Sequence, residues 1–256
     1  MTVAVVIVVL GLLIGAILGG LGGGGAILTV PALVYIVGQS AQEATTSSLV
    51  IVGLASLVGI ASYLRDHRVR WGISLAFGLG GIPGTWFGSY FNQLVPATAL
   101  LIGFAVVMLT AALAMVTKTS QHPGSKAPAR TVTVGHIVRV IGFALAAGFL
   151  TGFFGVGGGF VIVPMLVIGL HLPMRQAVGT SLAIIGLNSA TALMSRATVA
   201  HFDWSVIVPF TIATMIATAI GKRGADHLPA AKLQRGFALL LVLVAVYTAG
   251  QSIVNI

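Results

Sequence analysis

Apolar residues dominate this chain in long runs, each closed by a short polar or turn-forming group. The runs cover residues 3–19, 25–38, 44–64, 72–91 and 97–117, then 136–152, 158–170, 177–196, 205–221 and 230–251. A helix needs about 20 residues to cross a hydrocarbon core of roughly 30 Å. The last three runs of each set hold 17 to 22 residues, and the first two hold 13 to 17. The pattern predicts an all-α integral membrane fold. Each half holds a glycine-broken pair of short helices, re-entrant or half-spanning, followed by three long transmembrane helices.

The two sets are one pattern written twice. Residues 15–104 align with 148–237 at a constant offset of 133 and without a gap. Gly15, Gly19, Gly22, Gly24 and Gly25 match Gly148, Gly152, Gly155, Gly157 and Gly158. Val30-Pro31 matches Val163-Pro164, Ser48-Leu49 matches Ser181-Leu182, and Trp71 matches Trp204. The division is therefore a first repeat over 1–117, a linker over 118–135 and a second repeat over 136–256. In a membrane protein, paired repeats interrupted by glycine at the same place point to a transporter with a central site.

Composition narrows this further. A mean hydropathy of +1.09, 57% hydrophobic residues and 7% charged residues suit a multi-pass membrane protein and not a soluble domain. The net charge of +9 is read as loop anchors at the cytoplasmic face, with lipid and not nucleic acid as the partner. The first twenty residues hold no Lys or Arg, so they are expected to belong to the mature fold. Cysteine is absent, which excludes disulfides, thiolate metal sites and a cysteine-based sulfur relay. No cofactor, metal or catalysis is expected.

Charge also chooses between two topologies. If 3–38 is one broken crossing, the repeats are parallel and the basic residues divide 8 to 5. If 3–38 goes in and comes back, the repeats are inverted. The division is then 12 to 1, with only Arg196 opposite. The positive-inside rule favours the second. It puts the linker, Arg65-Asp66-His67-Arg68 and Lys222-Arg223 in the cytoplasm and both termini outside, in a cell (inner) membrane.

Small residues recur every four positions at Gly80, Gly84 and Gly88, answered by Ala213, Ala217 and Gly221. Such a stripe lets helix backbones approach closely. Ser40 and Glu43 form a capping box. Asp66, Asp203 and Asp226 sit at segment ends and read as loop residues. His171, in a short loop, reads as solvated.

Two motifs carry candidate chemistry. The first is Gly22-Gly23-Gly24-Gly25 with its partner Gly155-Val156-Gly157-Gly158-Gly159, of which Gly157, Gly158 and Gly159 are the candidate ligands. Glycine breaks a helix and leaves amides bare. The helix that follows begins with unpaired N–H groups at a positive dipole end, which suits an anion. The alternative role is tight helix crossing. The second motif is a pair of hydroxyl boxes: Thr46, Ser47 and Ser48, then Thr180 and Ser181, with Asn188 on the same face as Ser181. Their hydroxyls bond either a substrate or their own backbone.

Gly157-Gly158-Gly159, Pro164-Met165-Leu166 and Gly179-Thr180-Ser181-Leu182 together resemble the TauE/SafE family of sulfite and organosulfonate exporters. The resemblance covers both repeats. The first half departs from it, with Thr46-Ser47-Ser48-Leu49 in place of Gly-Thr-Ser-Leu. The resemblance implies transport of small sulfur-containing anions, often outward. Read from the residues alone, the chain is a membrane transporter with helix-end anion sites. An importer or exchanger of another small anion, a passive channel and a non-transporting assembly factor stay open.

Overall fold

The computed structural model describes residues 2–92, 94–95, 97–117, 134–154, 159–196 and 202–254, and they are overwhelmingly helical. The first half contains α1 (Thr2–Leu21), α2 (Gly23–Pro31, continued by a π-helical turn over Ala32–Val37), α3 (Ala41–Leu64), α4 (Trp71–Asn92) and α5 (Ala97–Thr117). The second contains α6 (Val134–Phe154), α7 (Gly159–Pro164, continued by a π-helical turn over Met165–Gly169), α8 (Met174–Arg196), α9 (Trp204–Asp226) and α10 (Ala230–Val254). Residues 118–133 of the expected linker lie outside the described residues.

One expectation needs correction. Only the second helix of each opening pair is short. α1 has 20 residues, about 30 Å at roughly 1.5 Å per residue, and is one of five described helices long and apolar enough to cross a membrane. The others are α3, α8, α9 and α10. Gly15 and Gly19 do not end α1. They lie under α9, where the backbone carbonyls of Thr214 and Thr218 occupy the places their Cβ atoms would take.

Local chemistry explains the other boundaries. Ser40 Oγ accepts from the Glu43 amide at 3.3 Å, and Glu43 Oε2 accepts from the Ser40 amide at 3.1 Å, so the capping box starts α3. Asp203 caps α9 by accepting from the Ser205 amide at 3.1 Å. Pro31 and Pro164 each lack an N–H, and at each the ladder passes into a π-helical turn. The first turn ends on Gly38 at φ 84°. The equivalent residue after the second is the exposed His171, also left-handed at φ 56°. That assigns His171 a turn, in keeping with its loop reading.

The halves are interleaved. α1 packs along α9, with Gly11 against Ala213, Gly15 against Ala217 and Gly20 against Gly221, so the two helices run parallel. α4 packs along α6 in the same sense, with Gly80 against Ala144, Gly84 against Leu145 and Gly88 against Phe149. The small-residue stripes therefore serve close packing, and each binds the first helix of the other half. α3 and α8, themselves repeat equivalents, run antiparallel: Gly53 faces Ser189, Ser56 faces Gly186, and Tyr63 faces Gly179. The core fills around Leu18, Ile27, Met108, Phe160, Ile162 and Phe237. Leu79, Trp86, Phe87, Leu113 and Val246 are exposed, as a lipid-facing surface requires.

Candidate functional site

The site begins at the break between α1 and α2. Gly22 stands at φ 68°, ψ −120°, a conformation that a side chain would strain. It is the N-cap of α2 and offers no side-chain cap. Past it the chain doubles back, because Gly25 lies directly on Ile14 and Leu18 of α1. The two helices form a hairpin.

Each glycine of the break faces something different. A Cβ on Gly22 would stand 2.5 Å from Ser181 Oγ. Gly23 lies backbone to backbone on Gly159, the first residue of α7. Gly24 faces the Leu240 and Phe237 side chains of α10. Gly25 is closed by α1. The starts of the two short helices thus meet inside the molecule, beside the second hydroxyl box. Gly157 and Gly158 lie outside the described residues. Close packing by itself accounts for the missing side chains at Gly23 and Gly25, and Gly22 is the one that opens onto a hydroxyl.

The hydroxyl boxes are buried throughout. Ser181 Oγ donates to the Val178 carbonyl at 2.8 Å, and Ser48 Oγ donates to the Thr45 carbonyl at 2.8 Å. Thr180 Oγ1 accepts from the Arg70 amide at 3.2 Å and so ties the start of α4 to α8. Ser47 differs: its side chain is fully buried and Oγ has no partner. Ala44 and Ile51, one turn to either side on the same face of α3, belong to the apolar cluster of Ile14, Leu33 and Phe210. An unpaired hydroxyl in such surroundings costs about 1–3 kcal/mol, and a polar ligand or water there removes that cost. Asn188 is half-buried on α8.

Asp66 and Asp226, which read from the sequence as separate loop residues, belong to one charged cluster at the end of α9. Asp66, Arg68, Lys222 and Asp226 pair across an apolar chain. The hydrogen bond from Lys222 is the main reason that the Asp66 carboxyl titrates below its usual range. Asp66 and Lys222 are far apart in sequence, and only the i, i+4 spacing of Lys222 and Asp226 signals part of the cluster locally. No group of three or more His, Cys, Asp or Glu residues suited to a metal occurs among the described residues. An apolar groove between α4 and α6, lined by Pro83, Phe87, Leu145 and Phe149, lies on other helices and offers no polar group.

Against known proteins, the family model described as "Sulfite exporter TauE/SafE" matches residues 7–248. A "Probable membrane transporter protein" of Xylella fastidiosa (strain Temecula1) is 30% identical over 257 residues, covering 98% of each chain. "Probable membrane transporter protein YunE" of Bacillus subtilis is 30% identical over 219 residues, 78% of this chain and 80% of the relative. "Probable membrane transporter protein MJ0441" of Methanocaldococcus jannaschii is 27% identical over 199 residues, 75% of this chain and 72% of the relative. No solved structure matches.

Proposed function

This chain belongs to the TauE/SafE family of membrane transporters, and we propose that it is a secondary carrier of small sulfur-containing anions, sulfite or an organosulfonate, moved out of the cytoplasm. The observation that carries the reading is the meeting of Gly22 and Gly23 with Gly159 and Ser181 inside the fold. Two helix starts converge there, and the first has no side-chain cap. In this reading, amides of Gly22 to Gly25 and of Gly157 to Gly159 hold the charged oxygens. Thr46, Ser47, Ser48, Thr180, Ser181 and Asn188 complete the shell, with Ser47 the hydroxyl that is free to turn toward a ligand. The substrate is bound and released unchanged.

We further propose that the repeats are inverted in the membrane. The antiparallel pairing of α3 with α8 and the hairpin of α1 with α2 support this arrangement. The basic residues then place the linker in the cytoplasm and both termini outside.

A thermal-shift panel on purified protein tests the substrate. Sulfite or a sulfonate is expected to raise the midpoint by mass action, while sulfate and carboxylates leave it unchanged. A shift with carboxylates alone would move the assignment to another anion. Uptake in vesicles that never exceeds equilibrium would make the protein a channel. For topology, single cysteines serve without background. Ser125→Cys is expected to resist an impermeant outside reagent in intact cells, and Asn255→Cys to react. Equal protection of both would restore the parallel arrangement.

A further inference from the structure

Four charged side chains form one layer at the end of the molecule that carries the α3–α4 turn. Lys222 Nζ lies 2.6 Å from Asp66 Oδ2 and 2.7 Å from Asp226 Oδ2. Arg68 pairs with Asp226 and stands 3.5 Å from Asp66. Arg175, at the start of α8, donates to the backbone carbonyls of Asp226 and Leu228 at 2.9 and 3.0 Å. The layer therefore joins the α3–α4 turn, the last turn of α9 and the first turn of α8.

Directly inside it lies Tyr63. The Lys222 ammonium sits 5.8 Å from the centre of its ring, and Tyr63 Oη donates to the Gly19 carbonyl at 2.9 Å. Gly19 belongs to the last turn of α1, immediately before the Gly22 break. Tyr63 thus joins the charged layer to the last turn of α1, next to the glycine break.

The duplication supplies an internal comparison. The repeat equivalents of Asp66, Arg68, Lys222 and Asp226 are Val199, His201, Ser89 and Gln93, and that of Tyr63 is Arg196. None of these is a carboxylate, so the equivalent positions cannot form the same ion pairs. The two ends of a symmetric scaffold are closed by different chemistry.

We propose that the Asp66–Arg68–Lys222–Asp226 layer is an ionic latch that seals the path between the glycine break and the cytoplasm. This rests on the carrier reading above. Opening toward the cytoplasm requires Arg68 and Lys222 to release both carboxylates. Tyr63 transmits that release to the break, because it is held by the layer on one side and by Gly19 on the other. A paired layer of this kind is stable closed and costly half-open, since removing one partner leaves a charge without its counter-ion.

The test uses the full chain with one reporter cysteine. Ser181→Cys places the thiol at the glycine break, because Ser181 Oγ lies 2.5 Å from where a Gly22 Cβ would stand and Ser181 is six residues along α8 from Arg175. In vesicles with the cytoplasmic face outward, an impermeant maleimide is expected to label this variant slowly. Adding Asp66→Asn and Asp226→Asn is expected to speed labelling at least about tenfold, a change of about 1.4 kcal/mol in closure. Reversing all four charges together (Asp66→Lys, Lys222→Asp, Arg68→Asp and Asp226→Arg) keeps every pair opposite in sign and is expected to restore the slow rate. Size-exclusion profiles identify variants that fold, and Lys222→Met replaces the double carboxylate variant if that one does not. Fast labelling of the unmodified layer overturns the latch, as does an unchanged rate in folded layer variants. The assay contains no substrate, so a latch that passes alongside a failed anion panel leaves the closure intact and removes only the anion assignment.

Discussion

Ser47 and Thr180 occupy the same place in the two repeats and make opposite use of a hydroxyl. Thr180 accepts the Arg70 amide and holds the start of α4. Ser47 is equally buried and bonds nothing. Duplication supplies a scaffold with two matching hydroxyl positions. Divergence has made one a structural joint and has left the other with a polar group in want of a partner. A symmetric helix arrangement therefore does not imply that both halves grip a substrate equally.

The largest expected effect comes from the glycines of the break between α1 and α2. Gly23→Val forces a side chain into the backbone of Gly159, and folded protein is expected to be lost from a size-exclusion profile. Gly24→Ala meets the ends of the Leu240 and Phe237 side chains and, at 3.4 Å, the Leu21 Cβ, with no backbone atom among them, so it is expected to fold and to report anion binding alone. Equal behaviour of the two would break the assignment of Gly23 to backbone contact.

Next is Thr180→Val. It leaves the Arg70 amide without an acceptor, and stability is expected to fall by about 1–3 kcal/mol in a denaturation series. Ser47→Ala removes no hydrogen bond, so the thermal midpoint of the anion-free protein is expected to hold or rise. Its anion affinity is expected to drop by up to about tenfold, the worth of one neutral hydrogen bond. If Ser47→Ala binds normally and Thr180→Val binds worse while folded, the contrast between the boxes is reversed.

The smallest effect is in pH. The Lys222 hydrogen bond holds Asp66 below the ordinary carboxylate range. The stability this gives is complete above the unfolded value of about 3.9 and is lost as pH falls through the lower folded value. The contribution of Asp66 to the thermal midpoint is expected to stay flat from pH 7 to about pH 5 and to decline below about pH 4. Asp66→Asn is expected to reduce the acid decline, which a midpoint-against-pH series measures.

Much of the architecture was legible because apolar runs and glycines are local signals. The ungapped register of the two halves anticipated five matching elements in each, and Ser40 with Glu43 announced the start of α3. The length of α1 was underestimated because the apolar run was closed at residue 19, while in the structure the helix continues to Leu21 under the cover of α9. The candidate site was legible only in outline. Gly22 and Ser181 were both singled out, but their meeting depends on how α1 and α2 turn against α8. The solitary state of Ser47 and the pairing of Asp66 with Lys222 depend on segments distant in the chain, and no local pattern encodes them.

The exchange of first helices between halves has a consequence for synthesis. As the chain emerges, α1 presents Gly15 and Gly19 with nothing to receive them until α9 is made, while α4 waits a shorter time for α6. Long-range partners of this kind delay the completion of the native state. The first half thus enters the bilayer as an unfinished intermediate, and quality control has a window in which to remove it. Cutting the gene within the linker and expressing both fragments together is expected to rebuild the protein, whereas the first fragment alone is expected to be degraded.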